Sequence, residues 1–484
     1  MNSPSQFLWH DYETFGTHPA IDRPAQFAAI RTDSELNAIG EPVEWYCAPA
    51  DDLLPHPVAC LITGITPQTA REKGVTEAKF AKHIHAEMMQ PGTCSVGYNS
   101  LKFDDEFSRN IFYRNFRDPY EREWRNGNSR FDLINLARMC FALRPDGIEW
   151  PLNEEGKPSF RLEHLTKANN IGHEGAHDAL ADVRATIDLA RLIRQRQPKL
   201  FNWALGLRDQ KAVLRLLDVL NPKPVLHTSS RIPANRGCTS LFLPLAVYPD
   251  RPKSIIAIDL MSNPDTLISG TAEEISDLVF ITADALPEDM ERIPLKAIHS
   301  NKLPMLAPSS TLKGVDTNRI ALDPELCNKN ADRILGHLES IRMKVMEVFT
   351  RSYGENSDDP DLMLYSGDFF SSHDRALMNK ILLTKPVDLA SLALPFQDKR
   401  LAAMLFRYRA RNFPETMSSQ EAEKWLVDRK YRATHPPVHG KPGLEELHNE
   451  VKLLKLKSGN DPHENRILDQ LDSWYQGLAQ ELQI

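Results

Sequence analysis

The chain is short of the features that mark secreted, membrane-spanning and zinc-ribbon proteins. Its 484 residues hold six cysteines (Cys47, Cys60, Cys94, Cys140, Cys238, Cys327), and no two form a C-x-x-C pair. That spacing argues against a zinc ribbon and against a disulfide framework, and it fits a reducing cytoplasm. No apolar run is long enough to span a bilayer, so no membrane association is expected. The first residues lack a basic region followed by an apolar core and a small-residue cleavage site, so no secretory leader is read there. Internal repeats and low-complexity tracts are missing. Positive charge is not in excess either: 58 Lys and Arg stand against 66 Asp and Glu, a net charge of -8. This total does not favour a nucleic-acid partner, but it excludes none. Binding depends on local basic patches, not on the total.

What is present reads as a globular protein of two or three domains, with 41% hydrophobic and 26% charged residues. Residues 6 to 48 read as a β-meander, with strands over Phe7–Gly16, Gln26–Thr32 and Val43–Cys47. Thr76 is placed to cap a helix with Ala78, Phe80, Ala81, Ile84 and Met88 as its apolar stripe. A strand over Cys94–Tyr98 precedes a helix through Phe107, Ile111, Phe112 and Phe116. Further helices are predicted over Leu133–Leu143, Phe160–Ala168 and Asp178–Gln195. Strands followed by helices in this order predict an α/β domain of about 195 residues. Beyond it, Phe201–Leu220 reads as a helix. Short β-like runs follow at Pro224–Thr228, Ser240–Val247, Ser254–Leu260, Leu278–Thr282 and Leu295–His299, a pattern of small barrels or sandwiches. A helix over Asn330–Tyr353 closes that region, and the acidic, turn-rich Gly354–Asp361 reads as a linker. From Ser371 onward the pattern is helical.

The chemistry is concentrated in three separated segments. Asp11 and Glu13 lie one residue apart on the first strand, so both carboxylates point to one face. Two buried acids on one face repel each other unless a cation neutralises them or one takes up a proton. Asp104 follows a strand at the head of a helix. His177-Asp178-Ala179-Leu180-Ala181-Asp182 opens the last helix of the α/β region. Four acids from three segments can hold two hard divalent cations roughly 3.5–4 Å apart, the arrangement that stabilises phosphoryl displacement. His177 lies too far round a helix to share the face of Asp182. That places it on the preceding loop, where a neutral imidazole is suited to general-base work. Each piece also has an ordinary reading: a solvated strand edge for Asp11 and Glu13, helix capping for Asp104 and for His177-Asp178. Their joint occurrence in these contexts favours the metal site.

These segments resemble the motifs of the DEDDh, or DnaQ-like, exonuclease superfamily, and more closely those of bacterial exonuclease I. Asp11-Tyr12-Glu13-Thr14-Phe15-Gly16, Leu61-Ile62-Thr63-Gly64-Ile65, Gly97-Tyr98-Asn99 with Phe103-Asp104-Asp105-Glu106, Ser159-Phe160-Arg161-Leu162-Glu163-His164-Leu165, His177 to Asp182, and Tyr408-Arg409-Ala410-Arg411-Asn412-Phe413-Pro414 carry the likeness. It covers essentially the whole chain. It implies an RNase H-like α/β exonuclease domain (1–197), an SH3-like β-barrel domain (198–352) and an α-helical C-terminal domain (355–484), forming a C-shaped body around the strand.

The resemblance further implies roles. Asp11, Glu13 and Asp182 hold one Mg²⁺, Asp104 helps with a second, and Mn²⁺ is a plausible substitute. His177 deprotonates the attacking water, Arg161 contacts the substrate phosphate, and Glu13 lies near the terminal nucleotide. The implied reaction is 3′ to 5′ hydrolysis of single-stranded DNA to 5′-mononucleotides in repair, mismatch repair and recombination. A cytoplasmic monomer is expected, binding the acidic C-terminal tail of single-stranded-DNA-binding protein at a site that no local pattern singles out. From the residues alone, the favoured reading of Arg161 is a surface ion pair with Glu163 or Glu154. The run Lys399–Arg411 reads either as a groove tracking DNA with cations and rings or as a helix with a solvated basic face. Two rivals remain open: an RNA-directed relative using the same metal site, and a non-catalytic scaffold at single-stranded DNA.

Overall fold

The computed structural model describes residues 4–173, 178–282, 286, 291–350, 357–457, 459 and 461–484. Packing divides the chain into two compact units. The first is built from Pro4–Arg130, 178–184 and 357–484, the second from 131–173 and 185–350. The division does not follow chain order: the C-terminal helices share a unit with the N-terminal sheet.

In the first unit, β1 (Gln6–Thr14), β2 (Pro24–Asp33), β3 (Val43–Tyr46) and β4 (Thr93–Gly97) form most of a five-stranded sheet of order β3-β2-β1-β4-β5, where β5 is Ser129–Asp132. β1 pairs antiparallel with β2 and parallel with β4. Alternation along β1 decides what each face does. Leu8 and Tyr12 turn inward with Phe27 and Ala29 of β2, where they meet the apolar stripes of two helices. After the short α1 (Pro57–Thr63), α2 (Glu77–Met88) supplies Phe80, Ala81, Ile84 and Met88 to this core. α3 (Asp104–Arg114) supplies Phe107, Ile111 and Phe112. The Tyr12 hydroxyl and Ser108 Oγ lie 2.9 Å apart, which pins α3 to the strand. Asp11 and Glu13 therefore face the other way. α4 (Ala179–Arg196) begins in this unit. Thr76 precedes α2 as expected, but its side chain makes no capping bond.

The second unit carries an antiparallel sheet of order β10-β6-β7-β8-β9, from β6 (Val225–Thr228), β7 (Thr239–Tyr248), β8 (Arg251–Asp259), β9 (Leu295–His299) and β10 (Met305–Pro308). Three local expectations differ. Leu278–Thr282 is not a strand; its apolar run ends the helix Ala272–Phe280, which starts at a capping box between Thr271 and Glu274 and buries Ile275 and Val279. The helix expected over Phe201–Leu220 is two, Pro198–Gly206 and Gln210–Leu216, because Asp209 accepts from Lys211 N and starts a new one. The helix expected over Asn330–Tyr353 is likewise two, Pro324–Leu335 and Leu338–Val348. The six cysteines are free and buried, and no described helix is long and apolar enough to cross a membrane.

The C-terminal part of the first unit is helical: α5 (Arg400–Asn412), α6 (Ser419–Thr434), α7 (Leu444–Lys457) and α8 (Pro462–Leu482). α7 and α8 pack Val451, Leu468, Leu471 and Tyr475 against Phe15, Ala25 and Cys60. The arginines of α5 do not form the solvated basic face that the helical reading gave them, although Leu401 and Tyr408 of the same run are in the core. Arg411 pairs with Asp52 at 2.6 Å and with Asp361 at 2.7 Å, and Arg407 with Asp359 at 2.5 Å and Asp361 at 3.1 Å. Arg432 of α6 reaches Asp359 at 2.7 Å. Burial raises the Asp361 carboxyl pKa, and Arg411, Arg407 and Arg432 more than reverse the effect, leaving it well below the usual range. The acidic end of the expected linker is thus a buried counter-ion: Asp361 is 1% exposed.

Removing one partner from such a cluster strands the others without water or counter-charge. Asp361→Ala is expected to destabilise the protein by about 3–5 kcal/mol, read from urea titration. Lys399→Ala, at an exposed site on the same run, should change stability by no more than about 0.5 kcal/mol.

Candidate active site

β1 outruns its neighbour. Its parallel register with β4 ends at Trp9 against Val96, and β4 itself ends at Gly97. Gly97 is needed there because a Cβ would meet Ser100 Cβ at 2.6 Å and the His10 carbonyl at 3.0 Å. The Tyr12 N–H, beyond the last pair, donates to Asp104 Oδ1 at 3.1 Å. Asp104 is the first residue of α3, buried to 2% exposure. Its carboxylate caps the open edge of β1, and this brings the second motif against the first.

The third motif arrives on α4. The Asp178 carboxylate accepts from Ala181 N at 3.0 Å, an ordinary cap. Asp182 sits one turn in and points at β1: carboxylate oxygens of Asp11, Glu13 and Asp182 lie within 4.8 Å of one another. These three and Asp104 line one cleft of about 720 Å³ together with Tyr98, Asn99, Phe103 and Ile62. Tyr98 and Asn99 follow β4, and Ile62 belongs to α1, so the motifs around Asp11, Ile62, Tyr98, Asp104 and Asp182 each contribute a wall. Three predicted site residues thus converge around one point and Asp104 shares their cleft. His177 lies outside the described residues. Arg161 belongs to the second unit, where it is the N-cap of the helix Leu162–Ala168 and not a residue inside it. Its side chain is 74% exposed and lies 3.7 Å from Glu163, the surface pair that the residues alone suggested.

Without cations this convergence is costly. Burial, then Asp104, Glu13 and Asp182, push the Asp11 carboxyl well above the usual range. Burial, then Asp182 and Asp104, push Glu13 up to about 9. Four acidic oxygen donors held together against their repulsion suit hard divalent cations, so the residues present fit the metal that the motifs imply. A neighbour of the site was given no role of its own by the motifs. Asp105, beside Asp104, is clamped by Arg122 at 2.5 Å and Arg130 at 2.8 Å, all three buried. Its signal in the sequence, Asp104-Asp105-Glu106, looked like first-turn acids, and only the fold reveals a counter-ion.

Comparison with known proteins agrees with this geometry. Three family models match in order: Exonuclease over residues 8–190, Exonuclease I SH3-like domain over 208–351, and Exonuclease I C-terminal domain over 358–478. Exodeoxyribonuclease I of Escherichia coli strain K12 is 49% identical over 468 residues, which covers 96% of this chain and 97% of that protein. The chain belongs to the exonuclease I family. A solved structure of E. coli exonuclease I with a dA16 oligonucleotide matches with a TM-score of 0.94 at 45% identity, covering 98% of this chain and 100% of that one. An SSB/exonuclease I structure with an inhibitor matches with a TM-score of 0.89 at 44% identity, covering 98% of this chain and 99% of that one. The exonuclease I order of domains (exonuclease, SH3-like, C-terminal) is therefore the order in this chain.

A carboxyl whose pKa is higher folded than unfolded holds its proton longer in the folded state. Its stabilising contribution is complete below about 4.5 and is lost as pH rises towards about 9 for Glu13. In chelator, the melting temperature should fall across this window. Added Mg²⁺ should lessen the fall, and Glu13→Gln should flatten it. A wild-type profile identical to that of Glu13→Gln would contradict the electrostatic account of the site.

Proposed function

We propose that this chain is an exodeoxyribonuclease that removes 5′-mononucleotides from the 3′ end of single-stranded DNA by metal-dependent phosphodiester hydrolysis. The observation that carries the reading is the convergence of Asp11, Glu13 and Asp182 in a cleft shared with Asp104, in a chain of the exonuclease I family. The E. coli relative's complex with dA16 supports DNA as substrate, and the SSB/exonuclease I structure supports SSB as a partner; the acidic C-terminal tail of SSB is assigned as the segment bound. We assign the domain limits 1–197, 198–352 and 355–484, Mg²⁺ as the working metal at two positions with Mn²⁺ as a substitute, and a monomeric cytoplasmic enzyme of repair and recombination.

The division of labour is the one that the family resemblance implies. Asp11, Glu13 and Asp182 would hold one ion, and Asp104 would help hold the second. Bound divalent cations supply charge neutralisation on the phosphate and acidify the attacking water. The Tyr12 N–H fixes the direction of Asp104, so the fourth carboxylate is oriented before substrate arrives. His177 is assigned as the base that takes the proton of the attacking water. Arg161 is assigned to a substrate phosphate. Its exposed pair with Glu163, at 3.7 Å, costs little to give up. Glu13, 7% exposed at the cleft wall, is assigned a place beside the terminal nucleotide. The RNA-directed alternative is not favoured, because the family match continues through both domains that follow the exonuclease domain.

A single strand labelled at the 5′ end should shorten progressively with Mg²⁺, one labelled at the 3′ end should release its label at once as mononucleotide, and chelator should stop both. Faster turnover of a matched RNA strand would overturn the DNA assignment. Asp11→Ala should lose mononucleotide release while still binding DNA. His177→Ala should slow hydrolysis by at least about a hundredfold with calorimetric metal affinity largely kept.

A further inference from the structure

One wall of the carboxylate cleft comes from far along the chain. Gly440, Lys441 and Pro442, in the loop between α6 and α7, line it beside Asp11, Glu13, Asp104 and Asp182. Among the described residues lining the cleft, Lys441 is the only lysine or arginine. A polyanionic substrate entering a cleft of four carboxylates meets repulsion that bound cations offset only where they sit. A phosphate away from those ions needs another positive group.

The position of Lys441 is held from the loop between β1 and β2. Its ammonium donates to Asp22 Oδ2 at 3.3 Å, and the same oxygen accepts from His18 N at 2.7 Å. Gly16, two residues past the end of β1, gives Asp22 its place: a Cβ there would lie 2.3 Å from that oxygen. The side chain of Lys441 keeps 23% of its exposure. Among the described residues its ammonium makes this one hydrogen bond, so two of its three N–H directions are available to a further acceptor. The arginines of α5 differ, since Arg407 and Arg411 each bind two carboxylates and are mostly buried.

We propose that Lys441 is a substrate-binding residue whose ammonium contacts a backbone phosphate of the single strand with its 3′ end in the cleft. The proposal rests on the exonuclease reading. It ties the C-terminal helical segment to the cleft, and it explains why a lysine, a mobile point charge on a long stem, stands at a wall otherwise made of glycine and proline.

The test measures steady-state digestion of a short dT oligonucleotide with Mg²⁺ over a range of salt, for wild type, Lys441→Gln and Lys441→Arg. Lys441→Gln should raise KM roughly fivefold to tenfold with kcat within about twofold. Its dependence of log(kcat/KM) on log salt should be shallower by about 0.7, one phosphate contact on a single strand. Lys441→Arg should restore both. Melting temperatures are measured alongside, and Lys441→Met repeats the comparison if Lys441→Gln melts early. An unchanged KM and salt slope in the neutral variants, or a KM defect that arginine does not repair, overturns the proposal and leaves the exonuclease reading standing. Absence of digestion by the wild type overturns that reading, and the proposal with it.

Discussion

Mutual repulsion among Asp11, Glu13, Asp104 and Asp182 is the constraint on which the rest of the structure depends. Carboxylates gathered within a few ångströms and mostly hidden from water are held there only by a stiff surround. β1 presents two of them because its other face is committed to the core through Leu8 and Tyr12. The third acid is brought by the start of α4 and the fourth by a backbone N–H that β4 leaves unpaired. A divalent cation turns this strained arrangement into a bound one, so affinity for the metal is stored as electrostatic tension in the metal-free fold.

The surround is built from ion pairs as well as apolar packing. Asp105 between Arg122 and Arg130 holds the head of α3 behind the site. Further back, Asp52, Asp359 and Asp361 gather Arg411, Arg407 and Arg432, joining helices near the C-terminus to the segment after β3. Buried charges in such numbers add little net stability over an apolar core, but each fixes its partner's position closely. Near a site whose own charges press outward, fixed positions are the useful property. The same C-terminal region then returns to the cleft through Gly440, Lys441 and Pro442.

Most of this was legible wherever the signal is local. Period-two and helical spacing identified β1 to β4 of the first sheet, but not β5, and the helices Glu77–Met88, Asp104–Arg114 and Leu133–Leu143. Reading failed where a cap or a long-range partner overrules the local pattern. Thr271 with Glu274 made a helix of the apolar run near Leu278, and Asp209 and Asp323 started helices inside or ahead of longer periodic stretches. The solvated basic face read on Lys399–Arg411 failed because the acids that pair with its arginines lie elsewhere in the sequence.

By itself the sequence determined the carboxylate set, its order, and the family to which its motifs point. Residue type at strand and helix spacing is enough to say which side chains share a face. Tertiary structure alone decided which acids meet and which are neutralised. Asp104 and Asp105 are adjacent, yet one faces the cleft and the other is locked between two arginines. Only the fold decided that Lys441 shares a cleft with Asp11, because charge acts through space and the chain brings the two together only after β1, α6 and α7 have packed.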